Sequence, residues 1–333
     1  MRRRFAAIAE NAKRAIFLHS GFRTGSTWFW SRFREAANTC AFYEPFNDGL
    51  ADLRPDTLPT AVENGASLKH PALKRPYFDE YRTLLRPTGG VAFYDSGMAL
   101  TNYFETGPNP SQQRYVAHLT QHAWDNGKIP VLGFCRSLGR VPWFRQYFSA
   151  INIVTLRKPW NRWVSYRQQT LQTDNPYFEL CTYLIALVGQ GDRRYRRFFE
   201  ELPLPPLSAD PNASSEQALR EHFDGLDAEQ RLRIFLRVFV LEMMIALRHA
   251  DHVVDLERMT VDAEYRSETT EMLRTATGLA DLSFDDCALP DHSASADASF
   301  QAHLEEARTR LFDYVAESAP PAPLDQTLTG SLP

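Results

Sequence analysis

The apolar positions of this chain fall into short continuous runs separated by segments with helical periodicity. Runs at 15–19, 39–43, 131–136 and 150–156 are short enough to be strands, and a helix-like segment follows the first from about Trp28. A strand inside a parallel sheet is buried on both faces, so it is apolar throughout rather than alternating. The pattern therefore predicts an α/β fold with a central parallel sheet flanked by helices.

The second half of the chain is predicted to be mostly helical. Apolar residues recur at helical spacing over 227–250, and a late strand and turn follow at 252–257. Residues 47–115 are rich in proline, glycine and aromatic residues and have only weak periodicity, and we interpret them as an insertion of loops and short helices. We expect a single domain over 1–318, with a disordered tail at 319–333.

The loop after the first run has the composition of an anion-binding loop. Gly21 and Gly25 lie on either side of Arg23, and Ser26 and Thr27 begin the next helix. A strand, a glycine loop and a helix together direct backbone N–H groups and the positive end of a helix dipole at a bound phosphate. The common phosphate loop, G-x-x-x-x-G-K-[ST], has a lysine that this shorter loop lacks. We therefore predict a phosphate-bearing ligand and disfavour an ordinary ATPase.

Two further strand ends carry polar residues. The run at 150–156 ends at Arg157, and Ser165 follows on the next predicted helix, so the two side chains can converge on one oxyanion. Glu44 directly follows the run at 39–43. Because ligands of open α/β sheets bind beyond the carboxyl ends of the strands, we expect Glu44 at the same edge as the glycine loop.

Three segments resemble the nucleotide signature of the sulfotransferases that use 3′-phosphoadenosine 5′-phosphosulfate (PAPS). They are Arg23-Thr24-Gly25-Ser26-Thr27-Trp28, Arg157 with Ser165 eight positions later, and Tyr43-Glu44-Pro45-Phe46, the last being typical of bacterial and carbohydrate-type members. The similarity spans roughly residues 15–280. It implies a three-layer P-loop NTPase-like fold, PAPS as the donor, adenosine 3′,5′-bisphosphate (PAP) as the product, and no metal.

The resemblance also implies a role for each matching residue. The loop backbone would hold the 5′-phosphosulfate, Arg157 and Ser165 would bind the 3′-phosphate, and Arg23 would neutralise charge on the leaving phosphate oxygen. Glu44 would take the proton from the acceptor. The predicted donor-binding residues are Gly21, Phe22, Arg23, Thr24, Gly25, Ser26, Thr27, Trp28, Arg157 and Ser165, and the predicted catalytic residues are Glu44 and Arg23.

Several of these roles have alternatives. Trp28 either stacks on adenine or packs within its helix, and Glu44 is either the base or the partner of an ion pair with Arg23 or Arg136. His118 and His122 are the other candidates for the base. The basic run at 193–197 either closes over the donor or is a solvated helix face.

Composition limits the function classes. The chain has 333 residues, a net charge of −4 and four scattered cysteines without a C-x-x-C motif, so we predict free thiols, no metal site and no nucleic-acid partner. No apolar run approaches the roughly 20 residues of a membrane span, and we expect a cytoplasmic protein.

The predicted reaction transfers a sulfuryl group in line to a hydroxyl or an amine of an acceptor, with a carbohydrate or a small molecule as the expected acceptor. An ATP-dependent P-loop kinase and a non-catalytic nucleotide-binding protein are the alternatives.

Overall fold

The computed structural model describes residues 14–56, 58, 73–207, 215–290 and 296–315. Its core is a sheet of five strands: β1 (Ala15–His19), β2 (Thr39–Tyr43), β3 (Ile129–Phe134), β4 (Ala150–Leu156) and β5 (His252–Asp255). The strand order is β2-β3-β1-β4-β5, and every neighbouring pair is parallel. The predicted α/β fold with a central parallel sheet is confirmed.

Helices lie between these strands in the sequence, and further helices follow β5. They are α1 (Ser26–Glu35), α2 (Pro110–Asp125), α3 (Val141–Tyr147), α4 (Pro159–Thr173), α5 (Tyr177–Gly191), α6 (Arg196–Phe199), α7 (Glu216–Asp224), α8 (Ala228–His249), α9 (Leu256–Val261), α10 (Ala263–Thr277) and α11 (Ala298–Val315). Within the described parts of the chain, no helix is long and apolar enough to cross a membrane.

The described residues divide into two compact units. The first contains the sheet and comprises residues 14–157 and 249–290, and the second is helical and comprises residues 158–248 and 296–315. The single domain expected over 1–318 stays a prediction. The predicted tail at 319–333 lies outside the described residues.

The central strands are apolar because they are covered on both faces. All residues of β1 and of β4 are buried, which explains the absence of alternation in their sequences. The predicted strand at 131–136 is displaced: β3 begins at Ile129, paired with Thr39, and ends at Phe134. The amides of Ser20 and Glu44, which directly follow β1 and β2, donate to the carbonyls of Phe134 and Gly133 at the end of β3.

The described part of the insertion at 47–115 packs onto the first unit. It contains three short 3₁₀ helices, Asp48–Ala51, Asp79–Leu84 and Ser96–Ala99. Four of its aromatic side chains are at most 3 % exposed and belong to the core: Tyr81, Tyr94, Tyr103 and Phe104. The described part of the insertion therefore contributes these four rings to the core of the unit.

A buried histidine ends the central strand. His19 Nε2 lies 3.2 Å from the side-chain oxygen of Asn152, and Nδ1 lies 2.7 Å from the Ser137 hydroxyl. Because an amide oxygen only accepts, the ring donates from Nε2 and accepts at Nδ1 from the serine. Complete burial lowers the pKa of His19 to about 4, with the Asn152 contact and Asp251 opposing the shift.

This lowered pKa predicts an acid-sensitive fold. Between pH 6.5 and about 4 the unfolded chain binds a proton at His19 that the folded chain excludes, so stability falls as the pH falls. The free energy of unfolding should decrease by up to about 1.4 kcal/mol per pH unit across this window. Urea unfolding of the wild type and of His19→Gln across the window checks this. An unchanged pH dependence in the variant would contradict the assignment.

Candidate functional site

The glycine loop leaves the sheet at a position where α/β proteins bind ligands. β1 is the central strand of the sheet. β2 and β3 lie on one side of β1, and the chain then crosses to form β4 and β5 on the opposite side of β1. The carboxyl end of β1 lies between these two halves, and the loop at 20–25 begins there. Ligands of open parallel sheets bind in the crevice at this point, because the connections on either side run in opposite directions.

The backbone of the loop takes left-handed conformations at two positions before α1. Gly25, the residue before α1, has a φ of +101°, and Arg23 has a φ of +58°. A Cβ atom on Gly25 would lie 2.7 Å from a methyl carbon of Leu289, so no other residue fits without movement. Among the described residues no side chain caps α1, and its first turn contains no acidic residue. The positive end of this helix therefore favours an anion.

The predicted donor-binding residues differ in their accessibility. The part of the loop open to solvent comprises Arg23, Gly25 and Ser26, which are half-buried. The buried members are Gly21, Phe22, Thr24, Thr27 and Trp28. Thr24 donates its hydroxyl to the carbonyl of Gly21 at 2.8 Å, so this side chain braces the loop from within.

Trp28 is a core residue of α1. Its indole is 9 % exposed and lies 5.9 Å from the ring of Phe284, measured between ring centroids. This packing accounts for a tryptophan at this position. Stacking on adenine stays a prediction.

Glu44 follows β2 in a strained conformation beside the loop. Its φ is +42°, and its Oε2 accepts from Arg136 Nη1 and from Asn47 Nδ2, each at 3.0 Å. The ion pair considered for Glu44 thus forms with Arg136, whose guanidinium also lies 5.2 Å from the ring of Phe22 in the loop. Oε1 of Glu44 accepts no hydrogen bond from the described residues. The carboxylate is therefore fixed through one oxygen, and the other is left for a further contact.

Three residues outside the predicted donor-binding and catalytic sets form hydrogen bonds with the first two hydroxyls of α1. Tyr43 OH lies 2.6 Å from Thr27 Oγ1, Tyr77 forms a side-chain hydrogen bond to Thr27, and the thiol of Cys135 lies 3.2 Å from Ser26 Oγ. Burial raises the pKa of each of these phenols and of the thiol, so all three stay protonated at neutral pH.

For two of these three residues, a position at the carboxyl end of a predicted strand is the sequence signal that places them near the glycine loop. Tyr43 is the last residue of β2, and Cys135 directly follows β3, so both lie at the carboxyl edge that carries the glycine loop. Tyr77 belongs to the weakly periodic insertion, and no pattern in the sequence indicates its position.

Arg157 reaches the glycine loop from the end of β4. Its Nη1 donates to the carbonyl of Arg23 at 2.8 Å, and its Nη2 donates to the carbonyl of Pro290 at 2.8 Å. Arg157 Nε also forms an ion pair with Glu257 Oε1 at 3.4 Å. The Arg157 side chain is only 4 % exposed. The structure thus brings together two of the predicted elements, Arg157 and the loop, and shows that the guanidinium also supports the strained Arg23 backbone.

The remaining candidates lie elsewhere. Ser165 is buried on α4 in the second unit, and its pairing with Arg157 stays a prediction. His118 packs edge-to-face on Phe93 at 4.8 Å, and His122 lies 3.4 Å from the Thr83 hydroxyl, so both have partners in the insertion. The described residues contain no group of three or more histidine, cysteine or carboxylate side chains arranged for a metal.

The candidate site of the first unit is thus the carboxyl edge of the sheet, where the loop, Glu44 with Arg136, and Arg157 lie. It combines half-buried loop residues, a carboxylate held by two hydrogen bonds, and arginines from two different strand ends. Comparisons of the chain with protein-family models, with curated proteins and with solved structures found no match.

Proposed function

We propose that this chain is a PAPS-dependent sulfotransferase with a P-loop NTPase-like fold. One observation carries the proposal: a glycine loop at the crossover point of a parallel sheet opens into an uncapped helix, and Arg157 from the neighbouring strand supports it. The sequence resemblance concerns the same residues, Arg23 to Trp28 and Arg157, which supports a donor with phosphate groups at both ends. A loop without the usual lysine disfavours ATP.

The proposed donor site uses the accessible part of the loop. The amides around Gly25 and the hydroxyl of Ser26 bind the 5′-phosphosulfate, and the helix dipole adds to their attraction. Arg23, half-buried at the same place, neutralises the charge that develops on the leaving phosphate oxygen. Arg157 contributes positive charge next to the loop and, in this proposal, binds the 3′-phosphate.

The proposed transfer forms one bond to sulfur and breaks another. An acceptor hydroxyl oxygen attacks the sulfur in line, and the bond from sulfur to the 5′-phosphate oxygen breaks, leaving PAP and a sulfate ester. Glu44 takes the hydroxyl proton on Oε1, since Oε2 is held by Arg136 and Asn47. The acceptor class in this proposal is a carbohydrate or a small molecule with a hydroxyl, or an amine.

A transfer assay with labelled donors tests the proposal. The protein is incubated with PAPS carrying radioactive sulfur and a panel of sugar, phenol and amine acceptors, with ATP labelled at its γ-phosphate in parallel. We expect transfer of sulfur to at least one acceptor and no transfer of phosphate. Phosphate transfer would indicate a kinase, and tight PAP binding without any transfer would indicate a non-catalytic nucleotide-binding protein.

A further inference from the structure

The first two hydroxyls of α1 are contacted by side chains from two neighbouring strand ends. Cys135, which follows β3, places its Sγ 3.2 Å from Ser26 Oγ. Tyr43, which ends β2, places its OH 2.6 Å from Thr27 Oγ1 and 3.9 Å from the same Cys135 sulfur. These four side chains form one continuous network beneath the glycine loop.

The direction of the thiol contact decides what Ser26 can do. The heavy-atom geometry fits the thiol as the donor and Ser26 Oγ as the acceptor. A serine hydroxyl has one hydrogen and two acceptor lone pairs, so accepting from the thiol leaves its own hydrogen for a different partner. Ser26 is half-buried at the open side of the loop, which is where an anion would lie. The Ser26 hydroxyl can therefore donate to a bound anion while it accepts a hydrogen bond from the Cys135 thiol.

Cys135 and Tyr43 are buried and packed against neighbouring side chains. Cys135 and Tyr43 are 5 % and 4 % exposed, and the Tyr43 ring lies 4.6 Å from the Trp30 ring. Tyr81 donates its hydroxyl to the Tyr43 carbonyl at 3.1 Å, which fixes the strand end. Burial keeps the pKa of the Cys135 thiol above its usual value, with nearby Glu44 acting in the same direction, so the donor hydrogen is retained at neutral pH.

We propose that Cys135 is a positioning residue that turns the Ser26 hydroxyl toward the 5′-phosphate of the donor nucleotide, with Tyr43 holding the thiol in place. This inference rests on the proposed function, because it takes the ligand of the loop to be a 5′-phosphorylated nucleotide. It adds a group from outside the glycine loop that determines how the loop binds its anion. A buried thiol is suited to this role because it donates only one weak hydrogen bond and does not compete for the phosphate.

The test compares two ligands that differ only at the 5′-phosphate. PAP and adenosine 3′-monophosphate are titrated into the wild type, Cys135→Ala, Cys135→Val and Cys135→Ser, with thermal unfolding as the folding control. The alanine and valine variants both remove the donor, and the serine variant restores one. We expect the alanine and valine variants to bind PAP about fivefold to tenfold more weakly, with adenosine 3′-monophosphate unchanged and the serine variant within about twofold of wild type.

A double-mutant cycle tests the connection to Ser26. In a Ser26→Ala background, Cys135→Ala should cause no further loss of PAP affinity, because the hydroxyl that it orients is gone. Additive losses, equal losses for both ligands or wild-type PAP affinity in Cys135→Ala would each overturn the inference. These outcomes differ from failure of the proposed function, in which the wild type itself would not bind PAP.

Discussion

Replacing Glu44 with glutamine is expected to lower turnover by about 100-fold or more while PAP affinity stays near that of the wild type. The amide keeps the shape of the side chain, and its oxygen can still accept from Arg136 and Asn47, which hold Oε2 at 3.0 Å. What it loses is the ability to take a proton. Steady-state kinetics with PAPS and a responsive acceptor, together with calorimetric titration of PAP, measure the two quantities separately.

Asp48→Asn is the matched control for this experiment. Asp48 also accepts from Arg136, at 3.1 Å, but its side chain is 59 % exposed. If the effect of Glu44→Gln arose from disturbing Arg136, the Asp48 variant would lose turnover as well. We expect it to retain turnover within about twofold, because the Asp48 carboxylate is mostly exposed to solvent, which weakens its ion pair with Arg136. Full turnover in Glu44→Gln would mean that the base is a different residue.

Arg157→Ala is expected to weaken binding of PAP by about 100-fold and of adenosine 5′-phosphosulfate by about tenfold. The smaller loss is common to both ligands, because the variant removes the donor that supports the Arg23 carbonyl. The excess for PAP reports the proposed contact to the 3′-phosphate, a group that adenosine 5′-phosphosulfate lacks. Calorimetric titration of both ligands into the wild type and the variant gives the two ratios.

The same substitution should also destabilise the fold. Removing Arg157 deletes one ion pair with Glu257 and the hydrogen bonds to two carbonyls, and this should lower the free energy of unfolding by about 3 kcal/mol. Arg145→Ala is the control, since Arg145 also donates to a carbonyl and a carboxylate but is 52 % exposed. It should leave the binding of both ligands unchanged. Equal losses of the two ligands in Arg157→Ala would limit this arginine to supporting the loop.

The strands were predictable because burial on both faces leaves a direct trace in the sequence. The runs at 15–19, 39–43 and 150–156 match β1, β2 and β4 residue for residue. The start of β3 was not predictable from the sequence. Its first residues, Ile129 and Pro130, belong to the strand because they pair with β2, and their own composition does not indicate a strand.

The side-chain partners of the site were less predictable, since they join distant parts of the chain. The ion pair between Glu44 and Arg136 spans 92 residues, and the contact from Arg157 to the Arg23 carbonyl spans 134. The sequence identifies each residue at the end of a strand, and only the strand order brings the partners together. Tyr77 is an example of a contact that the sequence does not predict. Its hydrogen bond with Thr27 depends on how the insertion at 47–115 packs.

The most direct measurement of the central claim is a calorimetric titration of the wild-type chain with PAP, adenosine 5′-monophosphate and ATP. A loop that binds the 5′-phosphate, together with Arg157 at the 3′-phosphate, predicts that PAP binds at least about tenfold more tightly than either other nucleotide. Tighter binding of ATP, or equal affinity for PAP and adenosine 5′-monophosphate, would contradict the account.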